Sequence, residues 1–297
     1  MCYYKITMIN KAVITAAGRG TRFLPVVKYY PKELIAIMDK PNIQLLVEEV
    51  IAAGVKEICI VHRPGDVALK GYFTPDTELE KYLKDNNKLE FLASLQAIWD
   101  NAKLEFIAQG DELPYGNASP ALAAKDFIGN DNFVYLFGDD LIVEDQVGVY
   151  LKKMIDNFEK NNLDFIVSTQ EMPTDEMIRY GAVVPTPNTS IPNQISELLE
   201  KMDPPPSNFA VVGRYVVKNK IMDIIKTQGI SRDGELWWAD AANTLTKNGI
   251  AAHEPITNGV WMTTGDPMRW LKANIVYALK QGRYKDDLVE FIKELNV

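Results

Sequence analysis

The chain has 297 residues, a net charge of −8, and an ordinary mixture of 47% hydrophobic and 24% charged residues. That length can bury a large core, and the composition is that of a soluble globular protein, not of a disordered or fibrous one. The acidic balance excludes a general nucleic-acid binder, which would carry a basic stripe, so an anionic substrate has to be drawn to a local cluster of positive charge.

The N-terminal MCYYKITMIN has neither the n-region nor the h-region of a secretory leader. No apolar run reaches membrane-spanning length. A cytoplasmic protein with no membrane partner is expected. Of the two cysteines, Cys2 stands at the chain's end and Cys59 inside the apolar run EICIV, so neither a disulfide framework nor a metal pattern is present. Lys11 to Ala17 reads as a short apolar strand. Gly18-Arg19-Gly20-Thr21-Arg22 then turns sharply. Its glycines let backbone N–H groups approach an anion, Arg22 adds a fork of donors, and Lys28 and Lys32 add mobile charge. Pro25 and Pro31 oppose a long helix across this segment. The loop is no Walker A motif and lacks the third glycine of the dinucleotide fingerprint.

Asn42 to Ala53 is a predicted helix, with Ile43, Leu46, Val47, Val50 and Ile51 on one face and Gly54 ending it. Lys56 to His62 is a strand. Strand, helix, strand at this spacing implies a right-handed βαβ unit and a parallel sheet. With only two histidines in the chain, a histidine pair or a histidine-rich metal site is not expected. Thr77 to Asn101 is polar and helical, with a break proposed at Asn86-Asn87. Lys103 to Gln109 alternates as a strand. Ser119 is placed as an N-cap before Pro120. Asn132 to Phe137 is an apolar strand, followed at once by Gly138-Asp139-Asp140. Ligands bind beyond the carboxyl ends of strands in open α/β sheets, so a carboxylate there is a candidate Mg²⁺ ligand. Helices are expected over 145–161, 218–228, 233–245, 266–281 and 286–295, with strands over 164–170 and 195–201.

The run G-x-G-T-R-F-L-P from Gly18, then Pro31-Lys32-Glu33-Leu34 and Asp39-Lys40-Pro41, resembles the sugar-1-phosphate nucleotidyltransferases. Within them it is most similar to the bacterial-type UTP–glucose-1-phosphate uridylyltransferase branch, over nearly the whole chain from about Lys11 to Gln281. The resemblance implies an α/β fold with a doubly wound, mostly parallel nucleotide-binding sheet, Rossmann-like, and a sugar-binding region. It is expected as one domain, 1–297, with the nucleotide half near 1–145 and the sugar half near 146–297. The implied substrates are UTP and a sugar 1-phosphate, and the implied cofactor is Mg²⁺. Dimers or tetramers of the chain are common among such proteins.

Carried over position by position, Ala16, Ala17 and Gly18 would sit near the base and ribose. Gly20, Thr21 and Arg22 would hold the phosphates, and Lys32 would neutralise charge at the reacting centre. Gln109 would read the uracil edge with its donor and acceptor, Gly116 would approach the nucleotide, and Asp139 would bind the metal. Asp140 is expected to be structural. Gly181, after Tyr180, would lie against the sugar ring. Glu200 would bind vicinal hydroxyls, and Lys201 the sugar phosphate.

The chain also departs from the pattern. Ala118 and Ser119 stand where glycine and histidine are common, and Met202 replaces a proline. Trp237-Trp238 interrupt the segment from Glu235 to Asp240, where packing is favoured over a subunit contact or a sugar platform. Thr263 stands where an aspartate supplies a further metal ligand, and Asp266 is three positions on. The implied reaction is formation of UDP-glucose and pyrophosphate. The alternatives are the same chemistry on another sugar or with dTTP, or a catalytically weak regulatory nucleotide binder.

Overall fold

The computed structural model describes residues 9–231 and 233–295; Cys2 and the stretch around it lie outside the described residues. β1 (Lys11–Ala16) leads into three separate 3-10 turns between Thr21 and Leu34, as its prolines require. A small ribbon, β2 (Ala36–Ile37) with β3 (Lys40–Pro41), then delivers the chain to α1 (Asn42–Ala52). The apolar face predicted for α1 is buried through Ile43, Leu46, Val47 and Val50. β4 (Glu57–His62) returns parallel to β1, completing the βαβ unit.

Next come α2 (Ala68–Phe73), α3 (Thr77–Asp85), α4 (Ala93–Asn101) and β5 (Lys103–Ala108), which lies parallel to β4. The long polar helix breaks where the asparagine pair interrupts it. α3 ends at Asp85, and Asn87 takes a φ of 56° that asparagine tolerates better than most residues.

After α5 (Ser119–Ala123) and α6 (Lys125–Ile128), β6 (Phe133–Phe137) pairs with the other side of β1. Ser119 is not the N-cap expected of it. Ala118 holds that place, and Ser119 is the first helical residue, its hydroxyl donating to the carbonyl of Pro114. Fully buried, that hydroxyl takes its partner from the loop packed on it.

β7 (Asp140–Glu144) precedes α7 (Val149–Lys160), which starts later than predicted. Gly148 turns the chain at φ 80°, and the Glu144 carboxylate accepts from the N–H groups of Gly148 and Tyr150. β8 (Phe165–Glu171), β9 (Gly181–Pro185), β10 (Gln194–Glu200) and β11 (Phe209–Val217) follow. Then come α8 (Ile221–Thr227), α9 (Trp238–Lys247), β12 (Ala251–Pro255), β13 (Gly259–Thr263), α10 (Pro267–Lys280) and α11 (Lys285–Glu294).

One nine-stranded sheet, ordered β5-β4-β1-β6-β11-β8-β12-β10-β9, runs through the molecule. Its first four strands are all parallel, the doubly wound block expected from the sequence. β11 enters antiparallel to β6, and most later pairings are antiparallel. β13 pairs antiparallel with β7, outside that sheet. The pleat sorts side chains onto opposite faces. Ile14, Ile60 and Leu136 pack with α1 and α7, whereas Val13, Cys59 and Tyr135 pack with α5, α8 and α9. Cys59 is thus core, as read from its apolar run.

A buried ion pair ties the layers together. Arg214 of β11 is fully buried and donates two bonds of 2.9 Å to the carboxylate of Glu49 on α1. It also donates to the carbonyl of Asp140 at 2.6 Å. Burial would lower its pKa, but Glu49 and Asp140 outweigh that and keep it charged. Removing one partner of such a pair strands the other. Glu49→Leu should therefore cost about 3–5 kcal/mol in urea unfolding, and Glu49→Leu with Arg214→Met markedly less.

His253, on β12, is buried against Phe209, with Nδ1 2.8 Å from the Thr169 hydroxyl. Burial pushes its pKa down from 6.5 to about 4. A depressed folded-state pKa gives stability present above pH 6.5 and lost as the pH falls through about 4. Urea midpoints measured across that window should fall less steeply for His253→Gln than for the parent.

Candidate active site

The loop after β1 arches over the stem of Lys32. Gly20 adopts φ 61°, and a Cβ there would meet Val27 Cγ2 at 3.3 Å and Lys32 Cβ at 3.4 Å. Left-handed backbone and close contact together call for glycine. Lys32 opens the third 3-10 turn and reaches its Nζ to 2.6 Å from Asp139 Oδ2. Two segments far apart in the chain therefore meet beyond the carboxyl ends of β1 and β6, the place where open parallel sheets bind ligands.

The turn that carries Asp139 is held from behind. Asp140 Oδ2 accepts from the N–H of Gly213 at 3.0 Å, and Oδ1 accepts from Trp261 Nε1 at 2.9 Å. With Arg214 on its carbonyl, Asp140 has the structural role expected of it. Burial, with the neighbouring Asp139 charge, pushes its carboxyl up to about 6. Burial also works to raise the pKa of Asp139, but Lys32 and then Arg22 outweigh it, so Asp139 stays below the ordinary carboxylate value. Lys32 is the mirror case: burial would lower its pKa, and Asp139 and Glu33 together raise it.

A cavity of about 930 Å³ opens over this pair, at the upper end of the range for small-molecule sites. Of the residues singled out in the sequence, Ala17, Gly18, Arg22, Lys32, Gln109, Gly116 and Asp139 line it. Gln109 stands just past β5, its N–H donating to the His62 carbonyl at 2.8 Å. Ala16 is buried in β1, and Gly20 and Thr21 support the loop from outside the cavity wall. Ala118 needs no glycine: it has φ −91° and is buried.

Gly181, Glu200 and Lys201 come together away from this cavity. Gly181 faces Glu200 across β9 and β10, and a Cβ on Gly181 would lie 2.8 Å from Glu200 Oε2. Lys201 follows β10 with φ 50°, its N–H donating to the Tyr180 carbonyl and its Nζ 3.6 Å from Glu200 Oε1. Beside them a second cavity, about 370 Å³, is bounded by Tyr180, Trp261, Thr263, Arg269 and Lys272.

Thr263 lies where the two regions meet. A Cβ built on Gly265 would be 3.2 Å from Asp139 Oδ2, 3.5 Å from Thr263 Oγ1 and 3.6 Å from Arg22 Nη1. Thr263 thus presents a neutral oxygen near the Asp139 carboxylate. Asp266 does not replace the missing aspartate, because it caps α10 by accepting from the N–H of Arg269 at 3.0 Å. Among the described residues no three His, Cys, Asp or Glu side chains gather into a metal cluster. The donor set fits a hard divalent cation only as one carboxylate completed by phosphate oxygens and water, the usual manner of Mg²⁺.

Other cavity residues carry no assignment from the sequence: Arg19, Tyr29, Glu33 and Arg63. Glu33 is 2% exposed with Oε2 unpartnered, and burial, partly offset by Lys32, pushes it up to about 8. Arg63 follows β4 directly, so the rule that ligands bind at the ends of parallel strands was the signal available for it. Of the tryptophan pair, Trp238 is fully buried and stacked on Tyr135 at 3.9 Å between ring centroids, as packing predicts.

The chain matches the family model described as nucleotidyl transferase over residues 11–279. It is 34% identical over 292 residues to a UTP–glucose-1-phosphate uridylyltransferase of Staphylococcus epidermidis, covering 97% of this chain and 99% of that one. The solved structure of a UTP-bound UGPase from Acinetobacter baumannii superposes with a TM-score of 0.86 at 28% identity, covering 97% of this chain and 100% of the other. A UDP-glucose pyrophosphorylase complexed with UDP-glucose gives 0.80 at 29% identity, covering 92% and 100%. The match over most of its length, and the 34% identity to a full-length relative, show that the chain belongs to the nucleotidyl transferase family.

Proposed function

We propose that this chain is a UTP–glucose-1-phosphate uridylyltransferase. The observation that carries the reading is the Lys32–Asp139 pair, 2.6 Å apart under the 18–22 loop and facing the large cavity. The similarity to uridylyltransferases over almost the full length supports the choice of substrates. UTP would occupy the cavity, with Gln109 at the uracil edge and Gly18 and Arg22 along its phosphates, on a loop held in shape by Gly20 and Thr21. Glucose 1-phosphate would bind toward Gly181, Glu200 and Lys201.

An oxygen of the sugar phosphate forms a bond to the α-phosphorus of UTP while the bond from that phosphorus to the bridging β-phosphate oxygen breaks. The electron pair leaves with pyrophosphate. The nucleophile is already an anion, so no general base is required. What the side chains supply is alignment and compensation of charge. Arg22 and Lys32 face the triphosphate, Lys32 takes up charge that develops on the departing group, and Lys201 holds the attacking phosphate. Mg²⁺ bound through Asp139 and substrate phosphates would supply further neutralisation.

Pyrophosphate release from UTP and glucose 1-phosphate tests the reading directly. Lys32→Ala and Asp139→Asn should each lower kcat by about a hundredfold or more, the scale of losing a charge-stabilising group, a far larger loss than either causes in stability measured by urea unfolding. Full activity in either variant would overturn it. UTP binding without pyrophosphate release in the parent would point to a regulatory nucleotide binder instead.

The electrostatics of the site add a second expectation. Asp139 is flanked by the Lys32 ammonium and the Arg22 guanidinium, and Thr263 brings no charge. A divalent cation alone therefore meets net repulsion and should enter with the nucleotide. Thr263→Asp would supply the second carboxylate. In Mn²⁺ titrations followed by electron paramagnetic resonance, without nucleotide, that variant should bind at least about tenfold more tightly than the parent, the scale of one added charged ligand. Equal affinities would defeat this account of Thr263.

A further inference from the structure

Trp237 has a different setting from its neighbour. It is half-buried, its Nε1 donates to Asp233 Oδ1 at 2.9 Å, and its ring lies under Lys201, with Nζ 5.6 Å from the ring centroid. That distance is within the range of a cation–π contact. The same ammonium is 3.6 Å from Glu200 Oε1.

The backbone around Trp237 is fixed on both sides, and fixed to the nucleotide cavity. Leu236 N–H donates to the Tyr115 carbonyl at 2.7 Å, and the Leu236 carbonyl accepts from Ala118 N–H at 3.1 Å. Trp238 N–H donates to Asn117 Oδ1 at 2.7 Å, and the Trp237 carbonyl accepts from Gln228 Nε2 at 3.0 Å. The approach is so close that a Cβ on Gly116 would lie 2.3 Å from the Leu236 carbonyl oxygen. Glu235, in the same segment, lines the large cavity. These extended-chain bonds are also why α9 begins at Trp238 and not at the predicted Asp233. The segment reaches from the cavity wall at residues 115–118 to the side chain of Lys201.

We infer that Trp237 is a positioning residue for Lys201, setting the affinity for the phosphate of the sugar 1-phosphate. This rests on the reading of Lys201 as that phosphate's partner. An ammonium next to a single carboxylate pairs with it, and its charge is then largely cancelled for an incoming anion. A ring face attracts the ammonium without neutralising it. With Trp237 beneath it, Lys201 is held near Glu200 yet keeps its charge available, and its left-handed backbone restricts where the side chain can start. The indole side chain makes none of the backbone bonds to residues 115–118, so its loss should be felt on the sugar side and not on the nucleotide side. The sequence reading of Trp237 as packing is thereby replaced by a specific contact.

The test is steady-state kinetics on the full chain with UTP and glucose 1-phosphate, comparing W237A, W237Q, W237F, K201M and the W237A/K201M double variant. W237A and W237Q should raise KM for glucose 1-phosphate about two- to fivefold, the scale of a cation–π contact at a solvent-accessible site. KM for UTP and kcat should stay within about twofold, the pattern of a lost binding contact and not of a lost transition-state contact. W237F, which keeps a ring, should restore KM to within about twofold of the parent. In the K201M background W237A should add nothing, since the two act through one interaction. The proposal is overturned if W237Q matches the parent, if W237A raises both KM values alike, or if its effect simply adds to that of K201M. An unchanged KM in K201M identifies the failure as one of the lysine assignment itself, and the proposal falls with it. Should W237A not fold, the W237F and W237Q pair, with matching thermal unfolding, carries the same comparison.

Discussion

Burying a guanidinium is what the geometry of this molecule turns on. Arg214 has no water to solvate it, so it must find carboxylate and carbonyl oxygens inside the protein. It takes both oxygens of Glu49 from α1, the carbonyl of Asp140 at the head of β7 and the carbonyl of its neighbour Gly213. Strand, helix and turn are thereby fixed relative to one another. Asp139 is the residue next to that turn, so the direction of its carboxylate follows from a charge buried behind it. The Lys32–Asp139 pair at the end of the sheet is only as well placed as the ion pair underneath.

Much of this was legible in the sequence, and the reasons differ from residue to residue. Strands β1, β4 and β6 announce themselves because strands buried on both faces read as continuous apolar runs. The loop at Gly18–Arg22 is legible because glycine, arginine and proline each constrain the backbone or the chemistry in few ways. Tertiary bonds moved the element ends. Ser119 gave up its capping role because its buried hydroxyl met the Pro114 carbonyl first. α9 starts late because Leu236 spends its N–H and carbonyl on the 115–118 loop. α7 starts at Val149 because Glu144 and Gly148 organise the entry.

Within the candidate site, residues carried by a motif were found and residues that merely arrive there were missed. Arg22, Lys32 and Asp139 lie in recognisable runs, and the fold brings them together. Arg63 and Tyr29 reach the cavity through the path of their loops, which no local pattern encodes. Glu33 was in plain view beside Lys32, but its burial with an unpartnered oxygen is a property of packing and leaves no trace in composition. The tryptophan pair shows the limit most clearly. Adjacent residues of one type point into different surroundings, one stacked in the core on Tyr135 and one under the Lys201 ammonium.

The continuity of the sheet has a geometric consequence. β1 is bonded to β6, β6 to β11, and β11 touches β9 at Ala210 opposite Ala182, one residue from Gly181. Adjacent strands stand about 4.8 Å apart, so three such steps put the glycine loop and Gly181 on a span of roughly 14 Å. That path has an irregularity: the register on β11 shifts between Val211 and Tyr215, and beyond the shift β11 meets β9 at Ala210. The strand count sets the separation of the two regions, and a local break in a ladder is where a strand bends most easily. The spacing between the glycine loop and Gly181 is in this sense a property of three strand steps and of one irregularity in a single strand.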